Sequence, residues 1–150
     1  MAIKTFYRTL SFIHLSLVIG LLGLTVILLL QGKGFNAHTE GNDLLLYIIP
    51  IISIIGYFGG QFLFNRSISK INRQQSLKKK LTEYTSASLV KYACIEGPAI
   101  ICLVAYYISG NALPLTIGLC LMALLIVQRP SRQKIIEQLP LTSEEQKEFQ

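Results

Sequence analysis

Four long apolar stretches alternate with polar or basic segments along the chain. They cover about residues 10–30, 44–64, 87–109 and 112–128. A helix needs about 20 apolar residues to cross a hydrocarbon layer of about 30 Å. The first three stretches reach this length, whereas the fourth reaches it only with its flanking residues. The pattern therefore predicts four transmembrane helices.

A cluster of turn-forming residues separates the last two stretches. Ser109, Gly110, Asn111 and Pro114 lie close together at this point, and Gly, Asn and Pro are typical of turns. The two stretches are therefore predicted as separate helices and not as one long helix. The predicted fold class is an all-α, polytopic membrane protein made of two helical hairpins.

The composition supports one membrane domain and leaves little room for anything else. Apolar residues make up 51% of the chain and charged residues only 15%, whereas about a quarter of the residues in a soluble domain are charged. We expect a transmembrane domain over residues 1–130 and a short amphipathic tail over 131–150. No motif of a soluble enzyme or a cofactor site is found, so we expect neither catalysis nor a cofactor.

Lysine and arginine are concentrated on one side of the predicted helices. They lie in the N-terminal segment, in a loop over residues 65–86 and in the tail, while the other two loops carry a single lysine between them. The positive-inside rule then places both termini and the central loop in the cytoplasm, in a bacterial-type inner membrane. A cleaved signal peptide is the competing interpretation of the first stretch, but no small-residue cleavage site follows Leu30.

The central loop is predicted to contact lipid. Juxtamembrane cations are attracted to anionic headgroups, and no aromatic residue interleaves with the cations over residues 67–81, as stacking on nucleic-acid bases would require. We therefore expect lipid and not nucleic acid as the partner of this loop. The residues expected at the headgroups are Arg66, Lys70, Arg73, Lys78, Lys79 and Lys80.

The three cysteines lie inside apolar stretches. Cys94, Cys102 and Cys120 form no CxxC pair and have no histidine beside them. Zinc sites are built from closely spaced Cys and His ligands. We therefore expect no metal site, and we interpret the cysteines as small packing residues.

One carboxylate lies inside the third apolar stretch. Glu96 is nine residues beyond Ala87, or about 13 Å along a helix. A charged carboxylate at this depth costs several kcal/mol unless it is paired, hydrated or protonated. Its candidate partners are Tyr92, one helical turn earlier, His14 in the first helix and Gln61 in the second. These four residues form the candidate site for a proton or a small cation.

The two residues after the glutamate predict a helix kink. Pro98 lacks an amide hydrogen and its ring clashes with the carbonyl of residue 94, while Gly97 adds backbone freedom.

Small residues spaced four apart predict close helix packing, which we expect within the chain more than between two copies. The pairs with this spacing are Ser16 with Gly20, Gly56 with Gly60, and Ala93 with Gly97.

The tail predicts a short surface helix. Thr142 and Glu145 have the spacing of a capping box, in which a hydroxyl and a carboxylate accept hydrogen bonds from free amides at a helix start. A solvated tail is the favoured interpretation, and a docking site for a partner is the alternative.

The segment ACIEGPAIICLVAYY, residues 93–107, resembles the glutamate-bearing helix of the proteolipid c subunits of rotary ATP synthases. The residues that match are Ala93, Glu96, Ile100, Leu103 and Val104, and Arg73 with Gln74 resemble the polar loop of that family. The resemblance covers residues 73–107 and implies that Glu96 is a reversible proton or sodium carrier. The whole chain is more similar to small four-helix bacterial membrane proteins to which no activity is attached.

The sequence therefore leaves two functions open. The favoured one is a structural or accessory membrane subunit in which a polar network around Glu96 holds the helices together. The alternative is proteolipid-like handling of a proton or small cation through Glu96. The expected partners are the lipid bilayer and either another membrane protein or a second copy of this chain.

Overall fold

The computed structural model describes residues 3–31, 44–147 and 149. These residues form α-helices joined by short connections. In chain order the helices are α1 (Ile3–Gln31), α2 (Leu44–Ser69), α3 (Leu77–Ser109), α4 (Ala112–Val127), α5 (Arg132–Gln138) and α6 (Ser143–Lys147).

The length of the helices supports a membrane protein with three or four spans. α1, α3 and the Tyr47–Ser69 part of α2 are long and apolar enough to cross a membrane. α4 has only 16 residues, and it reaches the required length only together with α5, which is bent from it by 82°. The predicted all-helical membrane class is confirmed to this extent, while the fourth crossing stays a prediction.

The helices begin earlier than the apolar pattern predicted. α1 starts at Ile3 instead of about residue 10, and α3 starts at Leu77 instead of about residue 87. α2 also continues to Ser69 instead of about residue 64, so the loop predicted over 65–86 is reduced to residues 70–76. The added turns of α3 form because residues 77–86 contain no Gly or Pro and bury Leu81 and Tyr84. With 33 residues, α3 is about 50 Å long and exceeds a hydrocarbon layer by about 20 Å.

The predicted break between the last two long helices is confirmed. Gly110 has a φ of 68°, which favours glycine, and its amide donates to the Tyr106 carbonyl at 2.7 Å. The side chain of Asn111 then accepts a hydrogen bond from the Leu113 amide at 2.9 Å and caps α4.

α3 is the central helix, and it packs against α1, α2 and α4. The seam with α2 depends on two glycines. A Cβ atom at Gly56 would lie 2.5 Å from both the Cys94 carbonyl oxygen and the Pro98 ring, and one at Gly60 would lie 2.8 Å from the Cys94 Cβ. The predicted intramolecular role of the Gly56 and Gly60 spacing is confirmed.

The other two small-residue pairs do not pack in this way. A Cβ atom at Gly20 or Gly97 would meet nothing within 4 Å, and Ser16 and Ala93 are exposed on their helices. The same spacing therefore lies at a close contact with α3 in α2, and on open faces in α1 and α3.

α1 and α3 run parallel to each other. The rings of Phe6 and Tyr84 are 6.4 Å apart, and those of His14 and Tyr92 are 5.0 Å apart. Both pairs are 78 residues apart in the sequence, so the two helices advance in the same direction. One end of the bundle carries the start of α1, the loop over 70–76 and the tail. We call it the loop end.

The tail is packed against the loop end, contrary to the expectation of a solvated tail. Ile135, Leu139, Leu141 and Phe149 are buried. These four buried apolar side chains lie within a segment of 15 residues, on both sides of Pro140, and their burial accounts for the packing.

Candidate functional site

Glu96 lies on the third helix at the edge of an open face. Its side chain is half-buried. Across residues 3–31, 44–147 and 149, no donor lies within hydrogen-bond distance of its carboxylate and no cation pairs with it. We define the Glu96 face by the residues on the same side of α3, which are Ala93, Glu96, Gly97, Ile100 and Val104.

The predicted partners His14 and Tyr92 lie together but bond to groups other than Glu96. His14 is buried, and its Nε2 donates to the Leu125 carbonyl at 2.8 Å. The Tyr92 hydroxyl donates to the Gln128 carbonyl at 3.5 Å, which is a long hydrogen bond. The last carbonyls of a helix have no partner within it. The two side chains therefore satisfy the end of α4 and not the glutamate.

Gln61 lies in a polar cavity at the loop end, which we call the lysine cavity. The cavity has a volume of about 210 Å³, and Lys91, Tyr92, Gln128 and Lys134 also line it. A neighbouring cavity of about 340 Å³ includes His14 and Arg129. Glu96 lines neither of these cavities. The structure thus brings Gln61 and Tyr92 together, places His14 beside Tyr92, and leaves Glu96 apart.

The helix stays continuous through Gly97 and Pro98. The Pro98 ring faces Gly56, and the carbonyl of Cys94, which Pro98 cannot bond, also faces Gly56. The close approach of two backbones therefore covers the position where a proline leaves a helix carbonyl free.

The basic residues of the segment predicted as a loop, residues 65–86, fall into two groups. Five of the six predicted headgroup residues are exposed, which is compatible with contact to lipid. Lys80 is different because its side chain is 0% exposed. The five exposed residues are Arg66, Lys70, Arg73, Lys78 and Lys79.

Lys80 binds the tail instead of facing a membrane surface. Its Nζ donates to the two carboxylate oxygens of Glu145 at 3.1 and 2.8 Å and to the Pro140 carbonyl at 3.1 Å. Glu145 also accepts from the Thr142 amide at 2.7 Å, while its own amide donates to the Thr142 hydroxyl at 3.3 Å. The predicted capping box is confirmed, and its carboxylate is also the partner of the buried lysine. We call these contacts the tail latch.

Electrostatics at the latch favour the charged carboxylate. Burial acts to raise the pKa of Glu145, but the hydrogen bonds from Lys80 and from the Thr142 amide outweigh it and lower the pKa below its usual value. Tyr84, two turns into α3, makes a second bond to the tail, donating to the Gln138 side chain at 2.8 Å.

The described parts of the chain hold no cluster of three or more His, Cys, Asp or Glu side chains arranged for a metal ion. Cys102 is buried with its sulfur 3.5 Å from the Ser53 hydroxyl, whereas Cys94 is half-buried and Cys120 is exposed. The cysteines thus lie in separate environments.

Sequence reasoning missed the residues that complete the lysine cavity. Gln128 follows the apolar run of α4 directly, and Lys134 lies in the tail. A polar residue at the end of an apolar helix is a local signal for Gln128. Nothing local indicates that Lys134 returns to the same cavity, because that depends on the 82° bend after α4.

No protein-family model, curated protein or solved structure matches this chain. The functional conclusion therefore depends on the geometry of the site.

Proposed function

We propose that this chain is a small accessory membrane protein whose Glu96 face binds a helix of another membrane protein. The observation that carries the proposal is the half-buried carboxylate of Glu96, which has no partner within the described residues. A charged group within a membrane span is stable only when it is paired, hydrated or protonated. A partner helix that brings a hydrogen-bond donor or a cation satisfies this requirement.

The surroundings of Glu96 favour a helix as the binding element. Ala93 is exposed and Gly97 has open space beside it, so the backbone of a second helix can approach closely. Ile100 and Val104 extend the same face with apolar contact area. Two copies of this face would bring two carboxylates together, and like charges repel. A donor-bearing helix of a different protein is therefore the proposed occupant.

The orientation forms part of the proposal. With both termini in the cytoplasm, the exposed cations of the former loop lie on the cytoplasmic side of an inner membrane and contact anionic headgroups. The buried Lys80 does not contribute to this contact, so five of the six predicted residues remain.

Photo-crosslinking in native membranes tests the proposal. A photoreactive residue at Ala93 is compared with one at Ile55, which is 64% exposed on α2 and outside the Glu96 face. We expect one defined protein adduct from position 93 that disappears in Glu96→Leu, decreases in Glu96→Gln, and is absent from position 55. The same adducts from both positions, unchanged in Glu96→Leu, would refute the proposal.

Proton or small-cation handling through Glu96 remains the alternative. Glu96 has no ion pair within the described residues, which favours this alternative, because a carboxylate that exchanges a proton cannot be permanently paired with a cation. Against it, Glu96 lines neither the lysine cavity nor the cavity beside His14. Ion flux in proteoliposomes distinguishes the two functions. A flux that is lost in Glu96→Gln supports the alternative, and equal flux in wild type and variant excludes it.

A further inference from the structure

We propose that the lysine cavity binds a phosphate group, held by Lys91 and Lys134 with the side-chain amide of Gln128. The site is separate from the Glu96 face, and the proposal is independent of the function proposed above. It is based on the charge of the cavity, the free hydrogen-bonding groups inside it and its position in the bundle.

The charge of the cavity is positive. Lys91 and Lys134 both line it, and none of the described lining residues is a carboxylate. Of the carboxylates in the tail, Glu145 is paired with Lys80 and not with either cavity lysine. Two ammonium groups that share one cavity repel each other, and a bound anion removes this repulsion.

The hydrogen-bonding groups inside the cavity are partly unused. The Nζ of Lys91 lies 4.7 Å from the centre of the Phe64 ring, and its ammonium has no acceptor within the described residues. Lys134 donates to the carbonyls of Val127 and Arg129, which leaves one of its three protons free. The Gln128 side-chain oxygen is buried and has no hydrogen-bond partner in the described part of the chain. Because the oxygen and nitrogen of an amide are interchangeable by a flip, Gln128 is able to present its NH₂ group to an anion.

The volume of the cavity is sufficient for a phosphate group. Its volume of about 210 Å³ exceeds that of one water, which occupies about 30 Å³ in the liquid, several times over. Lys134 is exposed at the rim and Lys91 is half-buried farther inside, so a charged group enters from the loop end. A phospholipid headgroup and a soluble phosphate ester have the same phosphate chemistry, and both are able to reach this end of the bundle.

Calorimetry on the purified protein in a non-ionic detergent tests the site. The probes are inorganic phosphate, glycerol 3-phosphate and dihexanoyl phosphatidic acid. We expect saturable binding that weakens at least about tenfold in Lys91→Met and in Lys134→Met, because each variant removes a charge-assisted hydrogen bond. Lys79→Met is the matched control, since Lys79 is an exposed lysine outside the cavity.

The three probes distinguish the sources of the phosphate. Binding of all three supports the proposal with a soluble phosphate as a sufficient ligand, and binding of the lipid alone supports it with a headgroup as the ligand. The absence of saturable binding for every probe would overturn the proposal. An equal loss of affinity in Lys79→Met would also overturn it, because this would show attraction to net charge only.

A second measurement uses only the wild-type chain, in case a variant does not fold. Lysine amidination by methyl acetimidate is mapped by mass spectrometry with and without the probe that binds best. We expect several-fold slower modification of Lys91 and Lys134 with the probe present, and no change at Lys79. Unchanged rates at all three lysines would overturn the proposal.

Discussion

Lys80 and Glu96 are two ionisable residues on the same helix, and they differ in whether the described chain supplies a partner for the side chain. Lys80 is completely buried, and its ammonium has three oxygen acceptors from the tail. Glu96 is half-buried and has no partner among the residues that the structure describes. The sequence pattern predicted the reverse, with Glu96 paired inside the bundle and Lys80 free at the headgroups.

The difference shows that membrane depth alone does not determine which charge is satisfied within the chain. The start of α3 is covered because the tail returns to it and supplies a carboxylate. The middle of α3 faces α2 and α4 on two sides, and the Glu96 face stays outside these contacts. A charge that the chain satisfies stabilises its own fold, whereas a charge that it leaves open is available to another molecule.

The largest expected effect comes from removing the partner of Lys80. Glu145→Gln keeps the size of the side chain and leaves a buried ammonium unpaired, so we expect the docked tail to lose about 3 kcal/mol of stability. Hydrogen exchange of the amides over 139–147 should then become roughly 100-fold faster. Glu144→Gln is the control, because Glu144 is exposed one residue earlier.

A double variant completes this test. Lys80→Met with Glu145→Gln removes the unpaired charge and keeps an apolar stem, so its tail should exchange more slowly than in Glu145→Gln alone. If the single and double variants behave alike, Lys80 is not the cause of the effect.

A smaller effect is expected at the sealed side of the middle of α3. Gly56→Ala places a Cβ atom against the Cys94 carbonyl and the Pro98 ring, and neither of these groups is able to rotate away. We expect a loss of about 2 kcal/mol, measured by thermal unfolding in detergent. Gly97→Ala, on the Glu96 face, should be tolerated because nothing lies within 4 Å of the added atom. Equal destabilisation by both variants would show that the Glu96 face is closed within the chain.

The smallest effect is the response of the tail latch to mild acid, which protonates Glu145 only in part. The pKa of Glu145 is lowered in the folded chain, so the latch contributes its full stability above the usual carboxylate value of 4.5 and loses it as the pH falls through the lowered value. Hydrogen exchange of the tail, corrected for its intrinsic pH dependence, should therefore accelerate below about pH 4.5 in wild type. Glu145→Gln should show no such step, and a step retained in that variant would assign the change to another group.

The parts of the fold that could be predicted are those that depend on neighbouring residues. Turn chemistry at Gly110 and Asn111 and the capping box at Thr142 each act within four residues, and all three are confirmed. The early start of α3 at Leu77 was missed because helix formation there depends on burial of Tyr84 against Phe6 and Phe64, two rings from other helices. The apolar pattern along the sequence indicates which segments suit a lipid environment, and it does not indicate ring contacts between different helices.

The candidate site was only partly predictable for the same reason. Glu96, Gln61, Tyr92 and His14 were identified as unusual polar residues in apolar helices, but their grouping depends on where α4 ends. His14 and Tyr92 bond to backbone carbonyls at that end, and Lys134 lines the same cavity as Gln128 after the bend that follows α4. A pattern along one chain does not specify which helix end lies beside which side chain.

The bond between His14 and Leu125 forms late, because its two partners are made far apart in time during synthesis. The two residues are 111 positions apart, so a ribosome that adds about 5 to 20 residues each second makes the acceptor roughly 6 to 20 seconds after the donor. During that interval the imidazole of His14 does not have the Leu125 carbonyl as its acceptor. The last long helix therefore completes the bundle, and a chain that stops before Leu125 leaves its first helix without the hydrogen bond that fixes it.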